Sequence, residues 1–96
     1  MGIKLSEIRR YAIDRRVEIA VSDTTSGHRC VINTRGQATV AEADRSSRIE
    51  EIIDSADSFE ITLSGKSQSL SRGQFETTVS DHFKSRGFSV ASKEEE

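Results

Sequence analysis

Few side chains in this sequence could do chemistry near neutral pH: one cysteine, Cys30, and two histidines, His28 and His82. Zinc wants four ligands, or three and a water, so these three would have to converge. His28 and Cys30 are two apart and share a face if the chain is extended there. Cys30, however, lies in the apolar run Cys30-Val31-Ile32, where a cysteine acts as a small buried hydrophobe. A nucleophile could be built from Cys30 with either histidine, or from a serine with Asp81 and His82. Neighbours on a helix point about 100° apart, which keeps Asp81 and His82 from facing each other. No nucleophile elbow or paired-carboxylate spacing occurs. The expectation is a chain without catalytic residues, metal ligands or cofactor.

Ser64-Gly65-Lys66-Ser67 has the lettering of the end of a phosphate-binding loop, in which glycine N–H groups cradle phosphates and the lysine reaches the outer ones. That loop needs a glycine five residues before Gly65. Glu60 stands there and would repel the ligand, so the segment reads as a turn.

Arginines are the remaining polar candidates. Arg9, Arg10, Arg16, Arg29 and Arg35 are the possible phosphate or partner contacts, with Lys4 and Arg15 nearby. On a helix at about 100° per residue, with Ile8 at zero, Arg16 and Arg9 fall near 80° and 100°, Arg10 near 200° and Arg15 near 340°. Taken together they encircle the helix, and Glu7 and Asp14 stand at pairing distance from Arg10, the look of a solvated face.

These residues must be held by a small fold. At 96 residues the chain suits one domain, expected over residues 1–90 with 91–96 as a disordered acidic tail. Leu, Ile, Val and Phe make up 22 residues, enough for a thin core. The first 40 residues carry seven Lys/Arg against four Asp/Glu, and the rest seven against twelve, three of them the terminal Glu94, Glu95 and Glu96. The net charge of -2 is therefore largely a tail effect with no claim on a partner. No apolar run approaches the ~18 residues of a membrane span, and Met1 to Leu5 is too short and polar for a signal peptide. A lone cysteine suits a reducing compartment, so a bacterial cytoplasmic location is expected.

The element signals are local. Ser6 is placed to cap a first helix reaching Arg15 or Arg16, with Leu5, Ile8, Tyr11 and Ala12 facing inward. Val17, Ile19 and Val21 alternate as a strand; Cys30-Val31-Ile32 and Ala38-Thr39-Val40 complete a three-stranded meander. Asp44 or Ser47 caps a second helix, Ser47 and Glu50 forming a capping box, with Ile49, Ile52, Ile53 and Ala56 as its stripe. Phe59 to Leu63 alternates as a fourth strand stopped by Ser64-Gly65. Ser71 and Gln74 box the third helix, Leu70 and Phe75 flank it as a staple, and Phe75, Val79 and Phe83 are its buried stripe. Gly87 fits the helix end, Phe88 packs back on Phe83, and Phe88-Ser89-Val90 could add an edge strand.

The fold class implied is α+β: an antiparallel three- to four-stranded sheet with three helices in the order α-β-β-β-α-β-α. Double-stranded-RNA-binding domains share the opening order, but they place lysines where this chain has Asp44-Arg45-Ser46-Ser47-Arg48. Val17 to Ser22 also echoes Phe59 to Ser64, a possible old duplication. Functionally the chain reads as a non-catalytic module that binds protein or itself through a sheet edge or the less covered sheet face. The alternative is nucleic-acid binding through the arginine-rich N-terminal half.

Overall fold

A computed structural model describes residues 3–41 and 48–85. It contains α1 (Leu5–Arg15), β1 (Glu18–Ser22), β2 (Arg29–Ile32), β3 (Ala38–Val40), α2 (Ile49–Ser55), β4 (Ser58–Leu63), β5 (Lys66–Ser71) and α3 (Arg72–Ser85). The fold is α+β, with all five strands antiparallel in the order β3-β2-β1-β4-β5. The sheet thus has five strands where three or four were expected. The extra one is β5, Lys-Ser-Gln-Ser-Leu-Ser, which carries neither apolar alternation nor β-branched residues.

What makes β5 a strand is the turn before it. Ser64 and Gly65 both have positive φ, 52° and 80°, as the two central residues of a type I′ hairpin turn require. That turn folds the chain back so that Lys66 pairs with Leu63 and the register runs to Ser71 opposite Ser58. Backbone pairing, rather than side-chain preference, then holds the segment extended.

Register sorts the side chains cleanly. One face carries the rows Ala38, Ile32, Ile19, Ile61, Gln68 and Val40, Cys30, Val21, Phe59, Leu70. The core cluster joins most of these residues to Ile8, Tyr11, Ala12, Ile52, Ile53, Phe75, Val79 and Phe83 of the helices. All three helices therefore cover this face. Phe59 and Phe75, both fully buried, stack at 4.3 Å and hold α3 on β4. Burying each is worth about 1.5 to 3 kcal/mol, and the ring pair roughly 0.5 to 1.5 more.

The helix starts share a device that explains one departure from sequence. The backbone N–H of Lys4, Arg48 and Ser71 each donates to the side chain three residues on: Glu7 at 2.9 Å, Glu51 at 3.2 Å and Gln74 at 3.0 Å. In α3 the Ser71 hydroxyl answers by accepting from the Gln74 N–H, the capping box expected there. In α1 the reach of Glu7 sets the start two residues early: Lys4, not Ser6, is the cap residue. Ile3 and Ile8, both buried in the core, occupy the staple positions around it. α2 begins after Arg48, with Ile52, Ile53 and Ala56 buried and Ile49 half-buried. The cap of α2 is therefore Arg48 with Glu51 reaching back, in place of the expected Asp44 or Ser47 and the Ser47–Glu50 box, because the helix begins only at Ile49. Asp44 and Ser47 themselves lie outside the described residues, as do Gly87, Phe88, the expected strand at 88–90 and the acidic tail.

Arg72, at the start of α3, gives that helix its second anchor. Its Nη1 donates to the carbonyls of Ile53 and Ala56, both at 2.8 Å, and its Nε lies 3.3 Å from Glu76 Oε2. Carbonyls at the end of α2 thereby gain a cationic donor, that of Ile53 in addition to the Ala56 N–H it already accepts, and α2 is tied to α3. No helix among the described residues is long and apolar enough to cross a membrane.

Candidate interaction surfaces

The five arginines do not form one group. Arg9, Arg10 and Arg16 stand on or at the end of α1, Arg35 in the turn between β2 and β3, and Arg29 at the start of β2. Cys30 faces the helices, so Arg29 projects from the opposite face of the sheet, opposite Ser22. The other four are exposed at the α1 side.

Burial of Ile8, Tyr11 and Ala12 fixes which way α1 faces. The outward sector then holds Ile13 near its centre, with Arg9 about 40° to one side and Arg10 about 60° to the other; exposed Arg16 follows the last helical residue in a left-handed conformation. Only Arg15 breaks the group, about 160° from Ile13, and it accounts for the encircling pattern in the sequence. Ile13 is 44% exposed, an uncommon place for an isoleucine. Gly36 packs beside it so closely that a Cβ there would lie 2.8 Å from Ile13 Cδ1. Arg35, the preceding residue, is thereby brought alongside α1. Asn33 shapes this turn by accepting the N–H groups of Arg35 and Gln37 at 2.9 and 3.0 Å on Oδ1.

Three of the four carboxylates of the first 40 residues have partners in the fold, and the fourth, Glu18, is exposed on β1. Glu7 caps α1, Asp23 folds a turn, and Asp14 Oδ2 lies 3.2 Å from His82 Nε2, with Arg10 at 4.0 Å from Oδ1. His82 sits edge-on to Tyr11 at 5.1 Å and joins α1 to α3, the core-rim position expected for it. Cys30 is buried between Val21 and Val40. His28 ends the turn before β2, so the three residues considered as zinc ligands lie in different parts of the fold. Among the described residues no three His, Cys, Asp or Glu side chains are grouped as a metal site would be.

The β5 edge went unnoticed at the level of sequence. Because a two-residue hairpin makes Leu63 and Lys66 a hydrogen-bonded pair, the pairs alternate, and Thr62–Ser67 and Glu60–Ser69 are the non-bonded ones. The 2.9 Å contact between the Thr62 and Ser67 hydroxyls agrees with the closer side chains of such a pair. Ser67 and Ser69 therefore turn their backbone N–H and C=O groups away from β4. Ser71, next in this outward series, already gives its N–H to Gln74. The signal in the sequence was Ser64-Gly65 between Leu63 and Lys66, a two-residue turn that calls for a second strand.

The other face of the sheet carries Ala20 and Val31 at its middle and the polar residues Ser22, Ser58, Glu60, Thr62, Ser67 and Ser69 around them. Ser64 to Ser67 forms the hairpin turn and the start of β5, with no helix following it directly. At the β1 to β2 loop, Asp57 accepts both the N–H and the hydroxyl of Thr24, at 3.0 and 2.6 Å. These bonds, the hydroxyl first, hold the Asp57 carboxyl below the ordinary carboxylate range. Asp23 is likewise lowered, chiefly by the Ser26 side chain. An open groove of about 620 Å³ between the start of α1 and α2 is lined by Ile3, Leu5 and Ile53 together with Lys4, Arg9, Glu50 and Asp54.

The chain matches no family model, no curated protein and no solved structure.

Proposed function

We propose that this protein is a non-catalytic interaction module that takes up an extended protein segment along β5. The observation that carries this reading is the exposed six-residue edge strand whose Ser67 and Ser69 backbone groups point outward. Edge strands are usually blunted by brevity, proline, bulges or inward charge. β5 has six residues, no proline and one charge, Lys66, at its turn end. Strand addition would supply backbone hydrogen bonds from Ser67 and Ser69, with neighbouring side chains on alternate faces giving selectivity. Four outward groups predict weak, transient binding. A second copy of the chain is one possible donor of the segment.

Ser69→Pro tests this. Its N–H faces outward, so a proline there removes a donor from the edge while sparing the β4 ladder. Peptides selected from an extended-segment library should slow amide exchange at Ser67 and Ser69 and bind Ser69→Pro at least tenfold more weakly. Peptides that bind the variant equally well, or protect other amides, would overturn the reading.

A second reading, nucleic-acid binding, is favoured by one arrangement: Arg9 and Arg10 share the outward sector of α1, exposed Arg16 ends that helix, and Arg35 is packed beside it. Arg29 belongs to this reading only if contacts extend across to the opposite face of the sheet.

A further inference from the structure

We infer that the outward face of α1 together with the 33–37 turn is a phosphodiester-binding surface, formed by Arg9, Arg10, Arg16 and Arg35 around Ile13. The inference rests on the second reading and assigns its site, leaving out Arg29 and Arg15. The four guanidinium groups belong to two elements that the Gly36 to Ile13 contact fixes against each other. Arg9 to Arg16 covers about 10 Å of helix axis, the rise of roughly three nucleotides of one strand. Guanidinium groups spaced along such a track suit a backbone of repeating anions, each taking charge-assisted hydrogen bonds from an arginine. Exposed Ile13 in their midst supplies an apolar contact for sugar carbons. Among the described residues of α1, Asp14 is engaged by His82 and Arg10, while Glu50 and Asp54 of α2 line the groove that Arg9 also borders.

One residue separates binding from folding. Arg16 ends α1 in the left-handed conformation, φ 55° and ψ 47°, where glycine is the favoured residue. Arg16→Gly should therefore raise the melting temperature and weaken nucleic-acid binding in the same protein.

The experiment measures binding of the full chain to a duplex DNA, a single-stranded RNA and polyglutamate over a range of salt. Four phosphate contacts predict a slope of log K against log salt of about −3 to −4 for the duplex and about −2 to −3 for the single strand. The stronger of the two identifies which form of the phosphodiester backbone fits. Arg9→Gln, Arg10→Gln, Arg16→Gly and Arg35→Gln should each reduce the slope by about one, while Arg15→Gln and Arg29→Gln leave it unchanged. Nucleic acid bound with full slope by the four variants but lost with Arg29→Gln or Arg15→Gln would overturn the site and leave the second reading standing. No binding to either nucleic acid at low salt would overturn both. Polyglutamate binding as tight as nucleic acid would show a general acidic-partner surface and overturn the phosphodiester assignment.

Discussion

The two hairpins that flank the central strand β1 use similar backbone chemistry to different ends. The β2 to β3 turn closes with the Gly36 N–H on the Asn33 carbonyl at 2.9 Å and the Asn33 N–H on the Gln37 carbonyl at 3.0 Å. Its glycine, at φ 82°, is pressed against Ile13 of α1. The β4 to β5 turn also needs a glycine, Gly65 at φ 80°, yet nothing lies within 4 Å of where its Cβ would be. The first hairpin is welded to a helix and carries Arg35 with it; the second stands clear and leaves its far strand as an open edge. A turn's local geometry thus says little about its tertiary coupling.

Changes in the shared core should blur that contrast and changes in the turns should sharpen it. The largest effect is expected from Phe59→Ala, which removes the ring stacked on Phe75 and should cost about 3 to 5 kcal/mol in denaturant unfolding. Gly36→Ala comes next. Left-handed strain of about 1 to 2 kcal/mol is joined by displacement of the Ile13 side chain, worth about 0.5 to 1.5 more because its tip is free to rotate away. Gly65→Ala should show the strain alone, about 1 to 2 kcal/mol. Adding Ile13→Ala should recover part of the loss in Gly36→Ala and none of that in Gly65→Ala; equal recovery in both would erase the distinction drawn between the turns.

The third connection, between β1 and β2, is tied to the start of β4 through Asp57 and Thr24, and its strength depends on pH. Asp23 and Asp57 both have folded pKa values below the ordinary one, so the stabilisation is present above the unfolded carboxylate value, about 4. It is lost as pH falls through the lower folded values. Protection of the Thr24 and Ser26 amides relative to their intrinsic exchange rates should fall below about pH 4, and Asp57→Asn should remove part of that pH dependence. The smallest effect belongs to Leu63→Ser beside the open turn, at 52% exposure. It should change stability by less than about 0.5 kcal/mol.

How far the sequence disclosed this molecule can be read from particular residues. Phe75, Val79 and Phe83, spaced for one helical face behind the Ser71 and Gln74 box, predict α3 and its buried side, and the structure agrees. The central strands were equally legible, since Ile19 and Ile61 fall opposite each other within the two similar runs. The α1 start was displaced because a Glu7 reach-back caps the helix without a serine at the cap. The candidate surfaces were less legible. Ser67 and Ser69 have side chains that favour no strand, and their exposure at an edge follows from the hairpin turn. The arginines and the buried side of α1 were visible in the sequence, but only the contact of Gly36 with Ile13 brings Arg35 beside them.

By itself, then, the sequence determined the helices, the four apolar strands and the α+β class, because capping and alternating burial are written in neighbouring residues. Tertiary structure decided the fifth strand, the clamp of Arg72 on α2, the joining of Arg35 to the α1 arginines and the separation of Arg29 from them. These depend on which backbone pairs with which, and on which face is covered. Such facts arise between residues distant along the chain, where no local pattern encodes them.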